Sequence, residues 1–236
     1  MQTDPLQPVD IDTLRTRVTD SVRQAILQGV LLPGEQVNQV QIAAKLRTSR
    51  GPVREALRQL EEEGLVQSYP HKGTFVTEIT PNSIEEVYSI RRVLETFAVR
   101  RMIEHGNEAN VQQLREIVRD MERAVTAGDS TLLNELDFQF HAAICRGAQH
   151  SLLMQLWKSI EVGVRRVVAL RHGIYENLSE IVGNHPDLLA AIEAGDAPLA
   201  SQLLDEHIRE AGEQVYDAWV NKPPAQRRPV LASQDL

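Results

Sequence analysis

The sequence is poor in the features that would take it outside the ordinary water-soluble chains. It has a single cysteine, Cys145, among 236 residues, so no intrachain disulfide can form and its stability needs no oxidising compartment. No run of about 18 uncharged apolar residues occurs. The opening MQTDPLQPVDID has neither a basic n-region nor an apolar h-region. A membrane span and a secretory signal are therefore not expected, and the cytoplasm is the expected location. Aromatics are 4% of residues, with 13 Gly and 11 Pro, too few for an all-β sandwich built on many tight turns. With 42% apolar and 25% charged residues, the chain is expected to be mainly α, in one or two domains around a sizeable core.

Positive charge is scarce overall, at a net −8, which argues against indiscriminate nucleic-acid binding. Its distribution changes that reading. Residues 14–77 hold nine Lys/Arg against six Asp/Glu, whereas residues 80–236 hold 16 against 23. Between Lys45 and Arg58 stand Lys45, Arg47, Arg50, Arg54 and Arg58 with only Glu55 opposing them. The chain thus carries a basic stripe inside an acidic protein.

Two stretches have no helical or strand period, residues 1–11 and 221–236, and both are expected to be disordered tails. Leu14, Val18, Val22, Ala25 and Ile26 recur at helical spacing until Gly29 and Pro33-Gly34, predicting a helix over about 12–28. Val40, Ala43, Ala44 and Leu46 predict a short second helix. Thr48-Ser49 then caps a third, with Pro52 in its first turn. The segment LVQSYPHKGTFVTEI reads as a two-stranded hairpin with its tip at 70–73. Helix, helix, helix, hairpin is the order of a winged helix-turn-helix, over residues 12–79. At Ile79-Thr80-Pro81-Asn82-Ser83 a β-branched stretch ends, and Ser83 with Glu86 suggests a capping box that opens a second domain over 80–220. There the pattern is helical throughout, roughly 83–105, 108–127, 130–147, 150–172, 176–194 and 197–219, with Gly106, Gly128, Gly147, Gly173 and Gly195 at the joints. An all-α antiparallel bundle is the expected architecture.

Arg50, Arg54 and Arg58 stand at i, i+4 and i+8 on the third helix, opposite Val53, Ala56, Leu57 and Leu60. Guanidinium groups so arranged can fork onto guanine O6 and N7 in a major groove or clamp phosphates. A solvated face partly paired with Glu61 and Glu62 would show the same spacing. His71 and Lys72 at the hairpin tip can reach a minor groove or a phosphate, with Gly73 permitting close backbone approach.

From Leu32 to Val76 the motifs Pro33-Gly34, Ser49-Arg50-Gly51-Pro52-Val53-Arg54-Glu55-Ala56-Leu57, Leu60-Glu61-Glu62-Glu63-Gly64-Leu65-Val66 and Gly73-Thr74-Phe75-Val76 follow one another. In that order they resemble the N-terminal domain of the GntR family of bacterial transcription regulators. The resemblance implies operator contacts from Arg50 and Arg54, beside Ser49 at the helix start, and a wing around His71, Lys72 and Gly73 that enters the minor groove. Where the family usually has glycine in the turn before the recognition helix, this chain has Arg47. Either that turn avoids the left-handed region or Arg47 tolerates it, and its charge offers a further phosphate contact.

In the second half Asp137 and His141 lie four apart, a spacing that lets a carboxylate and an imidazole meet one metal ion and equally suits a hydrogen-bonded surface pair. His207 lies on the apolar side of its helix beside Leu203, Leu204 and Ala211, and His185 sits beside another apolar stripe. A bundle core is where such side chains from different helices can converge. The order of these four residues, with Tyr88 to Glu95 and Ala194-Gly195-Asp196, resembles the FCD ligand-binding domain of the FadR subfamily of GntR regulators. The resemblance implies that Asp137, His141, His185 and His207 hold one divalent metal, zinc or nickel, with open positions for a small carboxylate effector. It implies Arg91 as the cation facing that carboxylate, although an inter-helix salt bridge to an acidic side chain would employ Arg91 as well. Gly183 and Pro186 flank His185 where the family's helix runs on, so proline should start or kink a helix there. Cys145, four residues after His141, is a soft donor by chemistry but fits a small buried residue.

These readings point to a homodimeric repressor that binds double-stranded operator DNA under effector control and is not an enzyme. A metal-dependent hydrolase with an accessory winged helix is the alternative; no HExxH helix, nucleophile elbow or phosphate loop supports it.

Overall fold

The computed structural model describes residues 11–27, 30–106, 108–170 and 178–221, in two compact units, Met1–Glu78 and Ile79–Leu236. Residues 1–10 and 222–236, read as tails, and Gly29 and Gly173, read as helix stops, lie outside the described residues. Ile11 and Asn221, assigned to the tails by sequence, are instead the first and last helical residues.

The first unit runs α1 (Ile11–Leu27), α2 (Gln39–Lys45), α3 (Arg50–Glu62), β1 (Val66–Tyr69) and β2 (Gly73–Val76). Asn38 caps α2, its side chain accepting from the amides of Val40 and Gln41. Ser49 is the N-cap of α3 in extended geometry, with no capping bond from its side chain. Val18, Val22 and Ile26 of α1 and Val53, Ala56, Leu57 and Leu60 of α3 are all buried where these two helices pack. Each such aliphatic side chain taken fully from water contributes about 1.5–3 kcal/mol. Arg23 of α1 forks onto Glu63 just beyond α3, at 2.9 and 2.8 Å, which fixes the pair end to end.

β1 and β2 are antiparallel, with Val66 opposite Val76 and Tyr69 opposite Gly73. Residues 34–37 run along the other edge of β2, exchanging Gly34 N–H to Val76 O, Val76 N–H to Glu35 O and Val37 N–H to Thr74 O. The hairpin is thereby held on both sides. At its tip the Gln36 side chain donates to Lys72 O at 2.8 Å, and a Cβ on Gly73 would lie 2.7 Å from that same Gln36 nitrogen. Gly73 also has φ +106, so the backbone favours glycine there, while a Cβ would have to displace the end of the Gln36 side chain.

The second unit is α4 (Pro81–His105), α5 (Glu108–Ala127), α6 (Ser130–Gly147), α7 (Ser151–Ala169), α8 (Ser179–Val182), α9 (His185–Glu193) and α10 (Ala197–Asn221). α6 is central: it packs against α4, α5, α7 and α8, and most of its side chains are buried. Such a helix loses the amphipathic stripe, as one enclosed on all sides must. α10 lies along α4, close enough that a Cβ on Gly212 would meet the Tyr88 ring at 2.8 Å.

Two local readings change. Thr80, not Ser83, caps α4: its hydroxyl accepts from Ser83 N–H while Ser83 Oγ accepts from Thr80 N–H. Ser83 replaces the expected acidic N3 partner, and Glu86 bonds Asn82 instead. Within the helix expected over 176–194, the described residues form two, Ser179–Val182 and His185–Glu193, because Gly183 takes φ +41 after Val182 and Pro186 stands in the first turn of α9, where its missing N–H costs nothing.

Candidate functional site

In the first unit, burial of Val53, Ala56, Leu57 and Leu60 turns the opposite side of α3 outward. Arg50, Arg54 and Arg58 are all exposed, and none has an ion pair among the described residues. Glu61, the acid that would have quenched them, accepts from Ser68 N–H at 2.7 Å and from its hydroxyl at 3.1 Å, tying α3 to β1. Arg47 is exposed with φ +50 in the turn before α3, so it adopts the left-handed conformation that glycine would take, at a cost of about 1–2 kcal/mol. His71 (φ +62), Lys72 and Gly73 form the exposed hairpin tip, and Ser49 is exposed at the head of α3. A positive helix face beside an exposed hairpin tip can meet a polyanion with base edges to read.

In the second unit, Asp137 and His141 project from α6, His185 heads α9 and His207 comes from α10, and one donor atom of each lies within 4.8 Å of the others. His185 Nε2 is 3.5 Å and His141 Nε2 is 3.9 Å from Asp137 Oδ1. Asp137, His141 and His185 are buried completely; His207 is only partly buried as a side chain, but its Nε2 is enclosed. The helix break at Gly183 is what sets His185 at the head of α9, where its Nδ1 donates to Val182 O at 2.5 Å. Nε2 is then left with its lone pair toward Asp137. His141 Nδ1 is likewise engaged, by Glu95 of α4, and His141 Nε2 has no hydrogen-bond partner among the described residues.

Glu95 was not singled out by sequence; the signal that could have found it is the four-residue spacing from Arg91. Arg91 is 1% exposed, and its Nε donates to Glu95 Oε1 at 2.7 Å. Arg91 therefore makes its salt bridge within its own helix, not between helices as the sequence alternative had it. Its Nη1, the Tyr88 hydroxyl and Asn134 Oδ1 are buried with no hydrogen-bond partner among the described residues. Burial alone would raise the Glu95 pKa, but the Arg91 charge and the hydrogen bonds from His141 and Arg91 outweigh it and hold the carboxyl below its ordinary value. Cys145 is buried and stands outside the converging donors; desolvation, then Glu95, pushes its thiol well up, so it remains protonated.

One carboxylate and three imidazoles, two with Nδ1 committed to other groups, suit a divalent transition metal. His141 Nε2 and Arg91 Nη1, buried with no hydrogen-bond partner among the described residues, are atoms that water, a ligand or an ion can satisfy.

The first unit is that of a DNA-binding protein of the winged helix-turn-helix class, followed in the chain by a helical unit with an enclosed donor cluster. Comparison with known proteins makes the assignment specific. Residues 14–76 match the model of the bacterial regulatory proteins of the gntR family, and residues 86–210 match the FCD domain. The chain is 28% identical over 211 residues to the gluconate operon transcriptional repressor of Bacillus subtilis, covering 87% of this chain and 86% of that one. It is 30% identical over 196 residues to a protein of Paenarthrobacter nicotinovorans named for repression of a D-xylose utilization operon, covering 83% and 86%. The solved structure of a GntR protein from Rhodococcus sp. RHA1 superposes with a TM-score of 0.75 at 27% identity, over 88% and 99% of the two chains. The chain belongs to the GntR family, in its FCD-containing FadR subfamily, and is a DNA-binding transcriptional regulator rather than an enzyme. No helix among the described residues is long and apolar enough to cross a membrane.

Proposed function

We propose that the protein is a cytoplasmic, homodimeric repressor whose operator affinity is set by a small carboxylate bound beside a divalent metal. The reading divides the chain at 79/80 into a DNA-binding and an effector-binding domain. Arg47, Ser49, Arg50, Arg54, His71, Lys72 and Gly73 contact the operator, with α3 in the major groove and the hairpin tip in the minor groove. Asp137, His141, His185 and His207 hold the metal, zinc or nickel, which when bound supplies a Lewis-acidic point with room for an effector oxygen. The observation that carries the reading is the open arm of Arg91. One nitrogen is committed to Glu95, yet Nη1 is buried without a partner, and an anion is what such a group lacks. The relative named for a gluconate operon makes sugar acids the first compounds to try.

A dimer is supported by the second unit's exposed apolar row. Ile90, Val93 and Phe97 of α4 and Leu152 and Leu156 of α7 are exposed on two helices that pack together, with Phe97 against the His150 ring at 5.6 Å. A two-fold pair of these faces would bury both rows and present two recognition helices to a palindrome.

The test is metal analysis of untagged protein purified without chelators, beside an Asp137→Ala, His141→Ala double variant, with operator affinity measured with and without D-gluconate and related sugar acids. About one ion per chain, lost in the variant together with any effector response, is expected. Metal-free protein whose melting temperature ignores added zinc and nickel overturns the metal assignment, and sugar acids that never move operator affinity overturn the effector class. Val93→Glu should yield monomers in sedimentation velocity.

A further inference from the structure

We propose that Glu95 is a positioning residue for the cluster. It fixes the His141 ring in the tautomer with the proton on Nδ1 and the Nε2 lone pair facing Asp137, and Arg91 holds Glu95 in place. The inference rests on the reading of Asp137, His141, His185 and His207 as metal ligands.

The geometry carries it atom by atom. Glu95 Oε2 stands 2.5 Å from His141 Nδ1, while Glu95 Oε1 takes the Arg91 Nε proton at 2.7 Å. A carboxylate paired with guanidinium only accepts, so Nδ1 must be the donor. A neutral imidazole has one N–H; once Nδ1 holds it, Nε2 carries the lone pair, and Nε2 is the atom 3.9 Å from Asp137 Oδ1. Because both Glu95 oxygens are engaged from different directions, the carboxylate can neither rotate nor withdraw without breaking a buried bond. Arg91, Glu95 and His141 are all at most 1% exposed, so water does not compete for these positions. The Arg91–Glu95 bridge lies within α4, and it is the second carboxylate oxygen that crosses to α6 and meets His141.

His185 supports the same logic by another route. Its Nδ1 is held by a backbone carbonyl, Val182 O, which no substitution can alter. Glu95 is the side-chain counterpart, and through it α4 governs the cluster without contributing a ligand. In metal sites such outer partners raise ligand basicity and fix ring orientation, and losing one weakens metal affinity about 10- to 100-fold.

The experiment uses the full chain with 15N-labelled histidine, reading the ring nitrogens of His141 by NMR in metal-free protein, and zinc affinity by competition with a chelator. Wild type should show His141 protonated at Nδ1. Glu95→Gln keeps the shape but presents an amide that can donate or accept; it should mix the tautomers and weaken zinc binding by about 10- to 100-fold. A wild-type His141 protonated at Nε2, or a Glu95→Gln protein with unchanged tautomer and unchanged zinc affinity, overturns the assignment. The wild-type spectrum distinguishes the two tautomers even if the variant does not fold. Should wild type bind no zinc or nickel, the metal reading fails by itself, and the tautomer in wild type and variant still decides whether Glu95 sets the ring.

Discussion

In the first unit Arg50, Arg54 and Arg58 stand exposed with no ion pair among the described residues, whereas in the second Arg91, Glu95, Asp137 and His141 are enclosed together. The first arrangement costs folding little, because water solvates each guanidinium, and it leaves the charges available to a polyanion. The second takes charges out of water, at several kcal/mol per ion unless partners replace the lost solvation. One unit therefore keeps its binding groups independent of its stability, and the other makes them the same groups. Substitutions in the two should separate along that line.

Arg91→Ala should give the largest effect. It leaves Glu95 as a buried uncompensated charge, and breaking such a pair costs about 3–5 kcal/mol. The two tryptophans, Trp157 and Trp219, are both in the second unit and buried, so selectively excited tryptophan fluorescence during urea unfolding reports that unit. Arg54→Ala, in the first unit, should leave the unfolding curve followed by far-UV circular dichroism, which reads the helices of both units, within about 0.5 kcal/mol of wild type. Equal shifts for both would break the contrast.

Metal removal comes next. If the cluster is occupied by zinc at a hundred times its dissociation constant, chelation should lower the stability reported by the tryptophans by about 2.7 kcal/mol. In the Asp137→Ala, His141→Ala protein the chelator should do nothing. A chelator effect of the same size in that variant would locate the metal elsewhere.

On the exposed side, Arg54→Ala should cost about 1–3 kcal/mol of operator affinity and relax specificity at one base position if the side chain reads a base edge. A uniform loss over all sequences, with the salt dependence shallower by about one, would instead make Arg54 a phosphate contact. Either outcome leaves the fold intact.

The contrast also governs what the sequence disclosed. The winged helix was legible because its features are local: apolar spacing on α3, Ser49 at its start, and a hairpin tip at Pro70-His71-Lys72-Gly73. The ligand-type residues of the bundle were legible as types and as a family resemblance, but their convergence depends on a helix break at Gly183 and on the packing of α6, α9 and α10. Glu95 escaped because its importance lies in a partner 46 positions away, and the Arg91 spacing that flags it also occurs on any solvated helix. The Thr80 cap was missed because serine stood in for the expected acidic partner.

The comparison narrows to two neighbouring residues of α4. Arg91 points into the core, whereas Arg92, on another face of the helix, forks onto Asp205 of α10 at 2.8 Å through both Nε and Nη2, with both side chains 38% exposed. The hydrogen bond from Arg92, then its charge, holds the Asp205 carboxyl below its ordinary value despite partial burial. A depressed carboxylate pKa contributes stability that is present above the unfolded value and is lost as pH falls through the folded one, hence below about pH 3.9. Solvent screening keeps that contribution small, so Arg92→Ala should cost under about 1 kcal/mol at neutral pH, against several for Arg91→Ala one residue earlier. Carboxyl NMR should show Asp205 titrating at higher pH in Arg92→Ala and unmoved in Arg54→Ala. If Arg92→Ala destabilised the tryptophan-reported transition as much as Arg91→Ala does, burial would not be what sets the two apart, and the α4–α10 seam would carry the unit's electrostatics instead.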